Sequence, residues 1–501
     1  MTEDAGSGGP QQQGALVPRQ VVAEALSNPQ ERRDLGWEAG DDVPLPVVVE
    51  LNLQHRDGLE EANAELRRLL ADVVNESDPW RVARTYYKVQ LTMEQVRTLV
   101  REDRQRHSDE RDRVIYRVWP DFPVRPLIDR SVTTVKADAA LNAYSATGRR
   151  ITWALIDSGI DAQHPHFQRY DNLTCEDVTG LHRDFTQRGE PRDSALVDEL
   201  GHGTHVAGIL AGGLPHDYDL NKVHIVKHEQ DENDRPVATR RTVDNAASLS
   251  GVAPRCQLVS LKALTPNNTG DSSSVMRALE YVRDVNGEGK LMRIHGVNIS
   301  LGYDFKARWF ACGQSPLCVE VNRLVRSGVV VVIAAGNTGY GTSRSALGST
   351  PTGLALTIND PGNAEYGITV GSTHRDMPHT YGVSYFSSKG PTGDGRFKPD
   401  LVAPGENITS CAAGKMRTAI FPRGQEPPVD EIATYIDDSG TSMAAPHVSG
   451  VIAGFLSIRQ EFIGQPEQVK KIFLDTATSL GRAPYFEGRG LVDLMRAIQS
   501  V

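Results

Sequence analysis

Long apolar runs are missing from this sequence. No stretch of about 18 apolar residues is present to span a bilayer. Residues 1–20 are rich in Gly and Gln and hold no apolar segment of the kind that marks a secretion signal. The expected compartment is therefore the cytoplasm, with neither signal peptide nor transmembrane segment. Cysteine is scarce as well: Cys175, Cys256, Cys312, Cys318 and Cys411 are odd in number and form no C-x-x-C pair. Cys312 and Cys318 are near enough in sequence to bridge a short loop, but without an export signal free thiols are expected. An excess of basic charge is absent too. With 54 Lys and Arg against 64 Asp and Glu, the net charge is −10 and the two signs are interspersed. That balance argues against a nucleic-acid partner or a membrane-surface role. No internal repeat is found. What is present is a 501-residue chain, long enough for two or three domains and a large core.

Residues 1–42 are polar and read as mostly disordered, with a short helix near Val21–Leu26. Residues 43–122 form a compact pattern. Val47 to Leu51 reads as a strand, and Leu59, Ala62, Leu66, Leu69 and Val73 mark one face of a helix. Tyr86 to Leu91 is a second strand. Thr92 and Gln95 form a capping box that opens a helix with Val96, Leu99 and Val100 inward, and Val114 to Trp119 closes the series. With an additional strand around Arg81–Tyr87, this is a small α+β sandwich. Residues 123–144 are a linker. From about residue 145 to 501, short apolar runs alternate with amphipathic helices, the pattern of a parallel sheet covered on both faces. Its strands are Ile151 to Ile156, Gln257 to Leu261, Val297 to Leu301, Val329 to Ala335 and Ile368 to Gly371, with a helix from about Ser273 to Val285. The polar stretch from about Leu214 to Ala247, which contains the charge run Glu229 to Arg235, reads as a solvated excursion.

Four groups carry chemistry. Ser442 stands at the mouth of an apolar segment whose Val448, Val451, Ile452 and Phe455 repeat at helical spacing. At the first turn of such a helix the N–H groups lack partners and the dipole favours an anion. Asp157 ends a buried strand, and ligands of open parallel sheets gather at the carboxyl ends of the strands. His202 enters a helix of small residues, with its ring left open by the glycines beside it. His205, one turn on, reads as a hydrogen-bonded core histidine. Asn337 follows another strand end as an amide donor. A serine hydroxyl needs a base with a pKa near 7, the base needs a carboxylate to hold its tautomer, and the tetrahedral oxyanion needs two donors. The donors expected here are the Ser442 N–H and the Asn337 amide.

The blocks Asp157-Ser158-Gly159-Ile160-Asp161, His202-Gly203-Thr204-His205-Val206-Ala207-Gly208 and Gly440-Thr441-Ser442-Met443-Ala444-Ala445-Pro446-His447 resemble the three signature blocks of the subtilisin-like (subtilase) serine proteases. Ala334-Ala335-Gly336-Asn337 resembles the family's oxyanion-asparagine block, and Asn298-Ile299-Ser300-Leu301-Gly302 its substrate-lining strand. The likeness runs from about residue 145 to the C-terminus. It implies a doubly wound, mostly parallel α/β sheet and peptide-bond hydrolysis through an acyl-enzyme. Ser442 is implied as nucleophile, His202 as general base and then acid, Asp157 as orienting carboxylate and Asn337 as oxyanion donor. An extended peptide or protein substrate is expected to pair with Ser300, Leu301 and Gly302 on one side and with the stretch Asn268-Thr269-Gly270 on the other. Residues 43–122 resemble the family's inhibitory prodomain, a ferredoxin-like sandwich. This makes the chain's own N-terminal domain an expected intramolecular inhibitor, with Phe122 to Arg130 lying in the cleft like product and a cleavage between about Trp119 and Val135.

The long polar insertion replaces a loop where many family members hold calcium, and no D-x-D ladder stands in its place. No metal or other cofactor is required for catalysis, and a structural calcium is not predicted. Asp360, in the segment expected to floor the S1 pocket, reads as a turn carboxylate in preference to a selector of basic side chains. Beside an active endopeptidase stand two alternatives: the same enzyme devoted to one regulatory cleavage, and a catalytically silent peptide-binding module using the same cleft.

Overall fold

The structure, a computed structural model of the whole chain, describes residues 21–27, 32, 40–74, 79–121, 123–126, 131–187, 189–215, 218–230, 236–243, 249–305, 308, 311–345, 348–421 and 427–501. Two compact units emerge, one of residues 1–81 and 85–120, the other of residues 82–84 and 121–501.

The N-terminal sheet and its helices comprise β1 (Leu45–Leu51), a helix Gly58–Val74, β2 (Trp80–Ala83, of which the division leaves Trp80 and Arg81 in the smaller unit), β3 (Tyr86–Leu91), a helix Met93–Arg106 and β4 (Ile115–Pro120). This antiparallel sheet has the order β2-β3-β1-β4, the strand arrangement of a ferredoxin-like sandwich. Alternation puts Val47, Val49 and Leu51 of β1 on one face, where they pack with Leu66, Leu69, Val96 and Leu99 of the helices. The capping box forms: Thr92 accepts from the Gln95 N–H at 3.2 Å and Gln95 from the Thr92 N–H at 2.8 Å. Residues 21–27 carry the short helix expected near Val21–Leu26. A helix occupies Glu24–Ser27, the Ala23 N–H donates to the Val118 carbonyl at 3.0 Å, and Leu26 is buried in the core. Val21, Val22, Ala23 and Leu26, apolar within a polar window, pin that short piece to the sheet edge.

In the larger unit the strands are β5 (Pro123–Pro126), β6 (Thr152–Asp157), β7 (Arg183–Asp184), β8 (Val223–Gln230), β9 (Pro236–Arg241), β10 (Gln257–Lys262), β11 (Gly270–Asp271) and β12 (Gly296–Ile299). They continue with β13 (Leu301–Gly302), β14 (Val330–Ala334), β15 (Tyr340–Ser345), β16 (Gly348–Gly353), β17 (Ile368–Thr373), β18 (Leu401–Pro404), β19 (Ile408–Cys411) and β20 (Ala433–Asp438). The central sheet has the order β18-β17-β14-β12-β6-β10-β7, and its pairs are parallel. Every residue of β6 and β14 is buried, as strands covered on both faces must be. Trp153 and Leu155 of β6 and Val330 and Val332 of β14 share a core with Val451, Ile452 and Phe455 of the helix Thr441–Ile458. The alternating residues between them face the opposite layer. The fold is a doubly wound α/β sheet. The helix Thr441–Ile458 is apolar enough over its 18 residues to cross a membrane by composition, but it is the buried core helix here.

The polar insertion is a correction to the sequence reading. Residues 223–241 supply β8 and β9, which join β19 and β20 in a second sheet of order β19-β20-β8-β9. Ile225 and Val226 are buried there. β8 finds its parallel partner β20 some 200 residues later, so no local pattern announces it. Of the charge run, residues 231–235 lie outside the described residues. The run Val297 to Leu301 is two strands rather than one, broken at Ser300.

Candidate active site

A parallel sheet sets all its carboxyl ends along one edge. Asp157 is the last residue of β6, Ser300 follows β12 next to it, and Asn337 follows β14 beyond that. Flanked by paired strands, Asp157 is 1% exposed. Its Oδ1 accepts from the Ser158 N–H at 2.8 Å and from His202 Nδ1 at 2.5 Å. A carboxylate accepting at Nδ1 fixes the proton there and makes Nε2 the basic nitrogen of the neutral ring.

His202 begins the helix His202–Leu210, and its approach to the strand end depends on Gly203. A Cβ at that position would fall 2.1 Å from the Gly159 carbonyl oxygen and 3.1 Å from Asp157 Cβ. Buried Asp198 ties down the turn before the helix. It accepts from Ser158 Oγ (2.8 Å), from the Gly201 and Thr204 N–H groups (both 2.8 Å) and from Thr204 Oγ1 (2.7 Å). Burial raises the pKa of Asp198, and these hydrogen bonds act against that rise. His205 is structural: it is buried and its Nε2 meets the Ile436 carbonyl at 3.0 Å.

Ser442 occupies the first turn of the helix Thr441–Ile458, which packs against the His202 helix. Pro446, four residues on, has no N–H, so the Ser442 carbonyl loses its helical donor. Ser300 Oγ replaces it at 2.6 Å. Ser300 Oγ in turn accepts from Asn298 Nδ2 at 2.8 Å, and Asn298 Oδ1 accepts from Ser449 Oγ at 2.9 Å. The Ser442 hydroxyl itself donates to the Ser300 carbonyl at 2.8 Å. Ser442 is thus held twice by Ser300, and its one hydroxyl proton is directed at that carbonyl.

Asn337 Oδ1 accepts from the Thr441 N–H at 2.9 Å and from Thr441 Oγ1 at 3.1 Å, while Thr441 Oγ1 accepts from the Gly336 N–H at 3.0 Å. With its oxygen committed beside Ser442, the side chain keeps its NH2 group for an acceptor elsewhere.

The edge segments are occupied by backbone of the same unit. β5 lies between β11 and β13 and is antiparallel to both: Gly270 is opposite Val124, Leu301 opposite Pro126 and Gly302 opposite Arg125. Just before β5, buried Asp121 accepts from Ser272 Oγ (2.9 Å), the Ser273 N–H (2.9 Å) and Ser273 Oγ (2.8 Å) at the start of the helix Ser272–Val285. Phe122 and residues 127–130 of the expected tail lie outside the described residues. Asp360 is buried in a turn, accepts from Asn363 Nδ2 at 2.8 Å, and has its pKa raised by burial. All five cysteines are free thiols. Among the described residues no group of three or more His, Cys, Asp or Glu is placed to hold a metal ion.

Sequence reasoning missed Asn298, Ser449, Asp198 and Asp121. Asn298 left a signal, as an amide inside an otherwise apolar strand; the partners of Ser449 and Asp121 come from distant segments, and Asp198 joins the nearby Gly201 and Thr204 to the distant Ser158.

The sequence profile described as the subtilase family matches residues 148–490. Serine protease AprX of Bacillus subtilis is 27% identical over 369 residues, covering 72% of this chain and 68% of that protein. Pyrolysin of Pyrococcus furiosus is 31% identical over 333 residues, 60% of this chain but 21% of the relative. Subtilisin E of Bacillus subtilis is 27% identical over 368 residues, with 74% and 70% covered.

Proposed function

Because the chain belongs to the subtilase family of serine endopeptidases, we propose that Ser442, His202, Asp157 and Asn337 are its catalytic groups and that its own N-terminal domain restrains them. The observation that carries the reading is the 2.5 Å contact of Asp157 with His202 at the strand edge where Ser442 is tethered to Ser300. In the reaction, the Ser442 hydroxyl turns from the Ser300 carbonyl and gives its proton to His202 Nε2. Its oxygen then attacks the carbonyl carbon of the peptide bond. The Ser442 N–H and Asn337 Nδ2 receive the oxyanion. Imidazolium, stabilised by Asp157, passes the proton to the leaving amine, and water repeats the sequence in reverse on the acyl-enzyme. The substrate is an extended peptide or protein that pairs with Gly270 on one side and with Ser300, Leu301 and Gly302 on the other.

Restraint is supported by β5, the segment of the larger unit that follows the N-terminal domain in sequence and already holds both of those edges, and by Asp121, whose three hydrogen bonds anchor the chain just ahead of it. No metal or other cofactor takes part in this scheme. The five free thiols accord with the reducing cytoplasm the sequence leads us to expect, and cell fractionation tests that placement.

A fluorophosphonate probe with a peptide substrate tests the core of the proposal. Wild type is expected to be labelled and to hydrolyse peptide, and Ser442→Ala to do neither. Equal behaviour of the two would favour the silent peptide-binding module. Intact mass of the purified chain tests the restraint: a break between Trp119 and Val135 in wild type, absent from Ser442→Ala, indicates self-maturation. An unbroken chain of low activity indicates an enzyme held for one regulated cleavage.

A further inference from the structure

The parallel sheet has a second edge, at the amino ends of its strands. Thr152 opens β6, Gln257 opens β10 and His295 directly precedes β12. Beside them lies a cavity of ≈ 610 Å³ whose lining includes Arg149, Arg150, Arg169, Arg255 and Arg293. Many arginines of this acidic chain sit beside a carboxylate, as Arg283 does with Glu320 and Arg396 with Asp394. These five do not: among the described residues none of them forms an ion pair. Arg169 donates to the Leu214 carbonyl at 2.7 Å and Arg293 to the Asp177 carbonyl at 3.5 Å, contacts that leave the charge in place. The Arg169 and Arg255 guanidiniums stand 4.8 and 6.0 Å from the centre of one ring, Tyr170. Such a ring orients cations without neutralising them. Asp171 and Asp177 also line the cavity, so five positive and two negative side chains leave a balance of +3.

The neutral groups point the same way. His295 Nδ1 accepts the Thr152 N–H at 3.0 Å, which leaves the ring proton on Nε2 as a donor. Gln257 Oε1 faces Thr152 Oγ1 at 3.5 Å, so its NH2 is what it has to offer.

We propose that this cleft is a binding site for a small, multiply charged phosphorylated anion, an inorganic or organic oligophosphate. Guanidinium forks match phosphate oxygens in pairs, and five of them around one volume call for a ligand of more than one charge. The volume suits a ligand of nucleotide size. A long polyanion is disfavoured by the net charge of −10 and by the two aspartates in the lining. The six residues of β6 put Thr152 roughly 17 Å from Asp157, so an anion here does not compete with peptide.

The test is calorimetric titration of the full-length Ser442→Ala chain at physiological salt with inorganic triphosphate and, separately, with ATP. Saturable binding of triphosphate is expected, weakened tenfold or more in an Arg149→Glu/Arg255→Glu variant whose ligand-free thermal midpoint is unchanged. ATP binding more tightly than triphosphate assigns the organic source, with Tyr170 meeting the base, and equal binding assigns the phosphates alone; both uphold the site. The proposal falls if neither ligand gives saturable heat at millimolar concentration, if the double variant binds as well as its parent, or if a single-stranded oligonucleotide displaces triphosphate.

Discussion

A single side chain decides how well the nucleophile is placed. Ser442 gives its hydroxyl proton to the Ser300 carbonyl and takes a hydrogen bond on its own carbonyl from Ser300 Oγ. Asn298 orients that second contact, so it is a positioning residue, acting through Ser300. Asn298→Ala removes the acceptor of the buried Ser449 hydroxyl and the donor that orients Ser300 Oγ, at about 1–3 kcal/mol. The expected result is a slower fluorophosphonate labelling rate and a lower kcat with little change in KM. Labelling at the wild-type rate, in a variant that is merely less stable, would reduce Asn298 to a packing residue. Asn337→Ala is expected to cost kcat about 10²–10³-fold, a magnitude known from the subtilisin case, with KM nearly unchanged. Steady-state kinetics on a short peptide decide it. Of these residues, Ser442, His202, Asp157 and Asn337 were legible in the sequence, because each sits in a local block of small residues that announces a strand end or helix start. Ser449 was not, because its partner Asn298 lies far away along the chain. Asp198 bonds Gly201 and Thr204 close by, but its contact with Ser158 joins two distant segments.

Between elements, the critical joint is that of the helices His202–Leu210 and Thr441–Ile458, which carry the proposed base and nucleophile. Gly450 lets them approach. A Cβ there would meet Val252 Cβ at 2.6 Å and Cγ1 at 2.9 Å, with the Leu210 carbonyl oxygen at 3.2 Å. Gly450→Ala therefore pushes on both the His202 helix and the loop behind it. It is expected to lower stability by about 1–3 kcal/mol, as overpacking does, and to lower kcat as well. Denaturant midpoints and peptide hydrolysis report the two effects; a gain in stability, as from a plain Gly→Ala helix effect, would show the joint to be slack. The helix was legible from its apolar spacing. The strands β8 and β9 were not, because a polar stretch becomes a sheet only when β20 arrives to pair with it.

The whole molecule carries a pH limit. His164 and His166 are fully buried and neutral. His164 Nε2 donates to the Thr434 carbonyl at 2.9 Å while Nδ1 accepts from the His166 N–H at 3.2 Å. His166 Nε2 donates to the Ala211 carbonyl at 3.1 Å and Nδ1 takes the Tyr435 hydroxyl at 3.0 Å. Burial lowers their pKa values from 6.5 to about 4 and about 3. A depressed histidine pKa means that below pH 6.5 the unfolded chain binds protons that the native state refuses. Stability is therefore lost as pH falls from about 6.5 toward 4, by up to about 1.4 kcal/mol per pH unit for each ring. At pH 5 the two together cost on the order of 4 kcal/mol. Urea midpoints of Ser442→Ala at pH 7.5 and 5 are expected to show the fall, and His166→Gln to make it shallower. A pH-independent midpoint would mean that the rings accept protons in place.

From the sequence alone came the doubly wound sheet, the small sandwich before it and the residues of the proposed catalytic set. Each is written in short-range form: apolar runs of strand length, a capping box, glycines where backbones must touch. Only tertiary structure decided that Ser300 and Asn298 hold Ser442, that Asp198 ties the turn before His202 to Ser158, that β5 fills the edges beside β11 and β13, and that five arginines from four segments surround one cavity. Those facts concern pairs of groups far apart along the chain. The energy of such a contact depends on a distance that folding sets and local composition does not encode.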